Sequence, residues 1–349
     1  MKNKLILSCM AAVILCACAD SGSSQVTEIT SDIQTETQAT ETQTTEAVTA
    51  ETTTQQTEET TAQTEETTQT EAITMSYMEK YSDLVVQVPP QGYDEAREGV
   101  EYPEFQTLIY YSNTAERETP VNVLVPADYS KDKEYPVLYI LHGFWDNQDW
   151  MARDVVGLSQ ILTNLQADGE AEEMIVVLPY IFCSKEMQYC TGMDEANCLA
   201  YDNFVNDMMT DLIPFIEENF SVAKGRENTA ITGFSMGGRE ALFIGFTHPD
   251  MFGYIGAVCP APGLVSMGSM FPGQIDRSEL SFTGDKAYAV LVTSSKVDGV
   301  VGESPDSYRA IMDENGTEYL TQVLENTGHD HSSVKPHLYD YFRILFKDR

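Results

Sequence analysis

From residue 105 onward, short apolar runs alternate with longer stretches patterned like amphipathic helices. Residues 105–111 and 121–125 read as two strands joined by a polar turn, an antiparallel opening pair. Residues 137–141, introduced by Tyr135-Pro136, are apolar throughout, as in a strand covered on both faces. Further buried-strand runs stand at 174–178, 228–232, 254–258, 287–292 and 319–323. Helical patterns lie among them at 155–165, 203–219, 239–246, 307–313 and 334–346. Alternation of this kind predicts an α/β fold, with a mostly parallel central sheet flanked by helices. In such sheets the reactive groups gather past the carboxyl ends of the strands.

The pattern is absent before residue 76. The chain opens with Lys2 and Lys4, follows with an apolar stretch over 5–16, and reaches Leu15-Cys16-Ala17-Cys18 before turning polar. That apolar run is too short to span a bilayer and predicts a signal peptide over 1–17. Leu-x-Ala-Cys has the form of a bacterial lipobox, which makes Cys18 the candidate lipidation site; the alternative is an ordinary secretory signal with incidental cysteines. Residues 18–75 are rich in Thr, Glu and Gln, with twelve acids and no base, and predict a disordered tether. The expected location is extracellular, at the cell surface through a lipid on Cys18, or otherwise secreted.

Residues 76–349 have the length of one catalytic domain. The whole chain carries a formal charge of -35. Such acidity argues against nucleic acid or a polyanionic substrate. Beyond Cys18 the cysteines are Cys183, Cys190, Cys198 and Cys259. Export permits disulfides, with a local staple such as Cys190 to Cys198 as one reading and buried free thiols as the other. No paired C-x-x-C suggests zinc.

Gly233-Phe234-Ser235-Met236-Gly237 sits where a strand ends and a helix begins, as a G-x-S-x-G nucleophile elbow requires. A seryl hydroxyl needs a histidine to accept its proton and an acid to hold that histidine's tautomer. The chain has five histidines. His329, in the loop after the strand at 319–323, is the first candidate, with His331 as rival and His337 read as a surface or packing residue. His329-Asp330-His331 also admits a metal reading, but lacks a further ligand cluster. Asp298, after the strand at 287–292, is the first candidate acid. Glu303 and Asp306 are fallbacks placed where helix caps occur. Donors for a transition-state oxyanion are the backbone amides of Met236 and Phe144, with His142 bracing the latter's loop.

At these residues the chain resembles the esterase D-like α/β-hydrolases, in particular carbohydrate esterase family 1, which includes feruloyl and acetylxylan esterases. The resemblance is carried by Tyr135 through Gly143, by Asp211-Leu212-Ile213-Pro214-Phe215-Ile216-Glu217, by Gly233 through Gly238 and by Gly328-His329-Asp330. It implies an α/β-hydrolase fold with Ser235, Asp298 and His329 as triad, and hydrolysis of acyl esters on plant cell-wall polysaccharides by acyl transfer through the serine, without a cofactor. The chain departs from the family at His331 and Val334, where related chains often carry tryptophans, which leaves the acyl preference open between feruloyl and acetyl. Trp145, Trp150 and the loop Cys259-Pro260-Ala261-Pro262 are candidates for lining the acyl or sugar side. The expected partner is an acylated polysaccharide or oligosaccharide bound by a monomer, with membrane contact only through the lipid. Alternatives are the cytosolic glutathione thioester hydrolases of the same superfamily, an acyltransferase to an envelope glycan, and a non-catalytic binding module.

Overall fold

The computed structural model describes residues 76–266 and 273–347. The expected signal peptide over 1–17, the tether over 18–75 and Cys18 lie outside them. The strands are β1 (Gln106–Ser112), β2 (Arg117–Leu124), β3 (Val137–Leu141), β4 (Ile175–Pro179), β5 (Thr229–Gly233), β6 (Tyr254–Val258), β7 (Ala289–Ser295) and β8 (Leu320–Leu324). They form one sheet in the order β1-β2-β4-β3-β5-β6-β7-β8. The opening pair β1 and β2 is antiparallel, β2 joins β4 antiparallel, and every pairing from β4 to β8 is parallel. This is the α/β-hydrolase arrangement expected from the alternation of apolar runs.

The helices are α1 (Tyr77–Tyr81), α2 (Leu158–Ala167), α3 (Glu195–Asp202), α4 (Phe204–Asp207), α5 (Ile213–Asn219), α6 (Met236–Thr247), α7 (Ser304–Asn315) and α8 (His331–Ile344). Neighbouring strand residues point to opposite faces of a sheet. On β6, Ile255 lies against Gly245 of α6, whereas Gly256 lies against His337 of α8. The two helices therefore cover opposite faces. Strands β3, β4, β6 and β7 are buried along their whole length, as their unbroken apolar or small-residue sequences require.

The structure alters three expectations. The helix expected over 203–219 is interrupted by a π-helical stretch, Met208–Leu212, just ahead of Pro214. Proline has no amide hydrogen, so the regular ladder cannot pass through that point. The helix α3 appears where none was expected. Finally, Cys183, Cys190, Cys198 and Cys259 are all free thiols, so the staple between Cys190 and Cys198 is not formed. Cys190 instead donates to the Gly192 carbonyl at 3.4 Å.

Candidate active site

Ser235 separates β5 from α6 with φ 56° and ψ −114°. Residues other than glycine rarely occupy that region, so the turn must be held by its surroundings. Ser235 N donates to Val258 O at 2.9 Å, while Ser235 O accepts from Arg239 N at 3.0 Å and Ala261 N at 2.9 Å. The strained residue is thus clamped from β6 and the loop beyond it, and from its own helix. The glycines permit close backbone passage. A Cβ on Gly237 would stand 2.2 Å from Leu141 O, and one on Gly233 would stand 2.3 Å from the carbonyl carbon of Gly237.

The Ser235 hydroxyl lies 2.9 Å from His329 Nε2, and His329 Nδ1 lies 2.7 Å from Asp298 Oδ2. The other oxygen, Asp298 Oδ1, accepts from the amides of Val300 at 2.9 Å and Val301 at 3.4 Å. With an ionised carboxylate on Nδ1, the imidazole carries its proton there and turns its free lone pair toward the serine. Burial pushes the Asp298 carboxyl pKa up, but the hydrogen bonds from His329 and Val300 and the attraction of His329 outweigh it and leave the carboxyl below its ordinary value. The Asp298 side chain is 1% exposed and that of His329 13%, so the histidine is the edge of the group that meets solvent.

The rival assignments lie elsewhere. His331 is the first residue of α8 and makes neither of these bonds; Asp330 caps that helix, accepting from Ser332 N at 2.8 Å. The reading of 329–331 as a metal cluster is not supported: among the described residues, the three potential ligands that converge within 4.8 Å are Cys259, Asp298 and His329. Glu303 stands at the N-cap of α7 and Asp306 pairs with Arg309. Cys259 needs correction as a substrate contact. It is fully buried at φ 44°, and burial followed by the charge of Asp298 raises its thiol to about 12. It therefore faces the acid from within the protein and does not line the cleft.

Of the two residues expected to supply oxyanion amides, Met236 is the first residue of α6, where an amide has no partner in its own helix. Phe144 stacks on Tyr201 with ring centroids 4.9 Å apart. Trp145 follows at φ 64°, is 59% exposed, and donates its amide to the Tyr201 hydroxyl at 3.0 Å. His142 is buried behind this loop, with Nδ1 2.8 Å from Gly143 O and Nε2 accepting from Ile181 N at 3.1 Å. Burial lowers its pKa to about 4, which keeps it a neutral brace. Trp150 stacks on Phe234 at 5.2 Å, and Phe234 in turn lies 4.5 Å from the His329 ring.

Reasoning from the sequence missed the charged group on α6. Arg239 Nη2 contacts Glu240 Oε1 at 2.7 Å and also pairs with Asp202 of α3, while Gln274 donates to Glu240 Oε2 at 2.9 Å. Arg239 and Glu240 are buried. A charged dipeptide inside the apolar run of α6 was the signal, because buried charges require partners.

The Esterase family model, described as "Putative esterase", matches residues 112–343. A curated endo-1,4-beta-xylanase/feruloyl esterase from Xylanibacter ruminicola is 30% identical over 200 residues, covering 56% of this chain and 26% of that protein. Endo-1,4-beta-xylanase Y from Acetivibrio thermocellus is 28% identical over 144 residues, covering 38% of this chain and 12% of that protein. The chain thus spans 26% and 12% of the length of these two curated relatives. Among solved structures, the CE1 ferulic acid esterase of Anaeromyces mucronatus superposes with a TM-score of 0.72 at 35% identity, covering 75% of this chain and 97% of that one.

Proposed function

Because this chain belongs to the Esterase family and is of the CE1 feruloyl esterase type, we propose that it is a serine esterase removing feruloyl or acetyl groups from plant cell-wall polysaccharides such as xylan. The observation that carries this reading is the unbroken line of hydrogen bonds from Ser235 through His329 to Asp298. Ser235 Oγ attacks the ester carbonyl as His329 Nε2 takes its proton, and Asp298 stabilises the resulting imidazolium. The amides of Phe144 and Met236 hold the oxyanion. Collapse expels the sugar alcohol, which leaves with the proton from His329, and the acyl group stays on Ser235. Water then attacks the acyl-enzyme with His329 again as base, and the free acid departs. Every proton transfer runs through these side chains, so the reaction as proposed calls for no cofactor. Trp145, held outward on a strained backbone beside Phe144, offers an aromatic face to the sugar part of the substrate.

The same proposal places the domain outside the cell, attached through a lipid on Cys18 and the tether over 18–75. Its support is the charged, apolar and Leu-x-Ala-Cys order of the first eighteen residues. The test is hydrolysis of methyl ferulate beside acetylated xylan by the purified protein, with Ser235→Ala as control. Release of ferulate or acetate that vanishes in the control supports the reading and selects the acyl group. Silence from a folded protein on both substrates sinks it. Incorporation of radiolabelled palmitate that survives Cys18→Ser would sink the anchor.

A further inference from the structure

Behind the proposed triad, a second chain of hydrogen bonds runs across the same three strands. Thr232 lies on β5, which leads to Ser235; Thr293 lies on β7, which leads to Asp298; and Gln322 lies on β8, which leads to His329. His337 of α8 joins the first two, with Nε2 2.9 Å from Thr232 Oγ1 and Nδ1 2.8 Å from Thr293 Oγ1. Thr293 Oγ1 also donates to Gln322 Oε1 at 3.0 Å. A hydroxyl has one proton to give, so the Thr293 hydroxyl accepts from His337. This assigns the His337 proton to Nδ1 and makes Nε2 the acceptor of the Thr232 hydroxyl. At the other end, Gln322 Nε2 donates to Asp340 Oδ2 at 2.7 Å and to Val86 O at 2.9 Å, while Val86 N donates to the same carboxyl oxygen at 3.0 Å.

All five side chains, those of Thr232, Thr293, Gln322, His337 and Asp340, are buried. Polar groups placed there cost stability unless each finds a partner, and an apolar core would need none of them. The strand between β5 and β7 is notched to let the chain through. A Cβ on Gly256 of β6 would stand 2.5 Å from Thr232 Oγ1 and 3.0 Å from His337 Nε2. Apolar packing is non-directional and tolerates small slips between strands. A fixed order of donors and acceptors accepts one alignment.

We propose that Thr232, His337, Thr293 and Gln322 form a positioning network for the reaction, with His337 as its hub, setting the relative heights of the strands that present Ser235, Asp298 and His329. The helix carrying His337 starts just past His329, so the hub also anchors the segment that bears the base. Burial lowers the pKa of His337 to about 3, and the hub keeps one protonation state while the site above it cycles. The proposal rests on the triad reading given above.

The experiment compares Thr232→Val, Thr293→Val and His337→Phe with Thr232→Ser and Thr293→Ser in the full chain. It reads kcat and KM on methyl ferulate, and the low-field proton resonance of the His329–Asp298 hydrogen bond. The valine variants should lose about tenfold to about a hundredfold in kcat with KM within about twofold, because small misplacements of reacting groups cost rate and not binding. Their low-field resonance should shift or broaden, and the serine variants should keep wild-type values. If His337→Phe does not fold, the valine variants carry the test. Folded valine variants with unchanged kcat and resonance would make the chain a purely stabilising feature and overturn the proposal. Equal losses in the serine variants would assign the effect to packing and overturn it too. An inactive wild type would instead overturn the triad reading, while the resonance, which needs no substrate, would still report on the network.

Discussion

His329 and His337 are each held at both ring nitrogens by oxygen atoms, and their surroundings give them opposite chemistry. At Nδ1 His329 meets the Asp298 carboxylate and His337 meets the Thr293 hydroxyl; at Nε2 the partners are Ser235 and Thr232. A carboxylate can balance the charge of an imidazolium, whereas a hydroxyl cannot. The first ring reaches solvent at its edge and the second is sealed. On the proposed triad reading, the contrast teaches that a histidine and a hydroxyl at hydrogen-bond distance do not by themselves make a catalytic pair. The third partner and an open side decide it.

The largest break is Ser235→Ala, which removes the reacting partner from the open pair. Loss of about 10⁶-fold in kcat is expected, on the scale of other serine hydrolases, and steady-state ester hydrolysis measures it. Next, Asp298→Asn gives His329 a neutral partner like that of His337. An amide donating to Nδ1 would move the imidazole proton to Nε2, facing the serine, and cost about 10⁴-fold in kcat. Activity retained within about tenfold would show that the carboxylate is not what separates the two histidines.

The sealed side is sharpened by acid. His337 and His142 have folded pKa values of about 3 and about 4, below that of the unfolded chain. Below pH about 6.5 the unfolded chain binds protons that the folded one refuses, so each histidine removes about 1.4 kcal/mol of stability per pH unit on acidification. Asp340 acts in the opposite sense: burial raises it to about 8, and one of its oxygens, Oδ1, has no partner among the described residues. Between pH about 4 and 8 the folded state holds a proton there that the unfolded chain has lost, so its contribution falls as pH rises. Asp340→Asn should therefore steepen the acid loss of stability, as read by urea unfolding between pH 7 and pH 5. An unchanged slope would refute the assignment. The smallest effect belongs to the open rim: Trp145→Ala should raise KM on feruloylated oligosaccharide about twofold to about tenfold and leave kcat unchanged.

The expected strands at 137–141 and 254–258 coincide with β3 and β6, since each is a short apolar run bounded by turn residues. The strand expected over 287–292 runs on to Ser295 as β7, because Ser294 and Ser295 stay in the ladder opposite Val323 and Leu324 despite their polarity. Ser235, His329 and Asp298 could be found from the order of strand ends, a property of the chain as a line. The network around His337 could not. Its members come from three strands and a helix, and only tertiary pairing reveals that a threonine or glutamine in an apolar run is satisfied inside the protein. The same reason hid the pairing of Arg239 with Asp202, whose helix α3 lacks a regular apolar stripe.

The close passage of Gly237 over Leu141 sets a tolerance. At Gly237 the segment bearing Ser235 passes main chain to main chain over the segment leading to Phe144, where a Cβ would meet the carbonyl oxygens of Leu141 and His142. The gap between the two proposed oxyanion amides is then referenced to atomic radii, much as a machined part is referenced to a hard stop. Substitutions that loosen the core elsewhere can soften the domain while leaving that dimension nearly untouched.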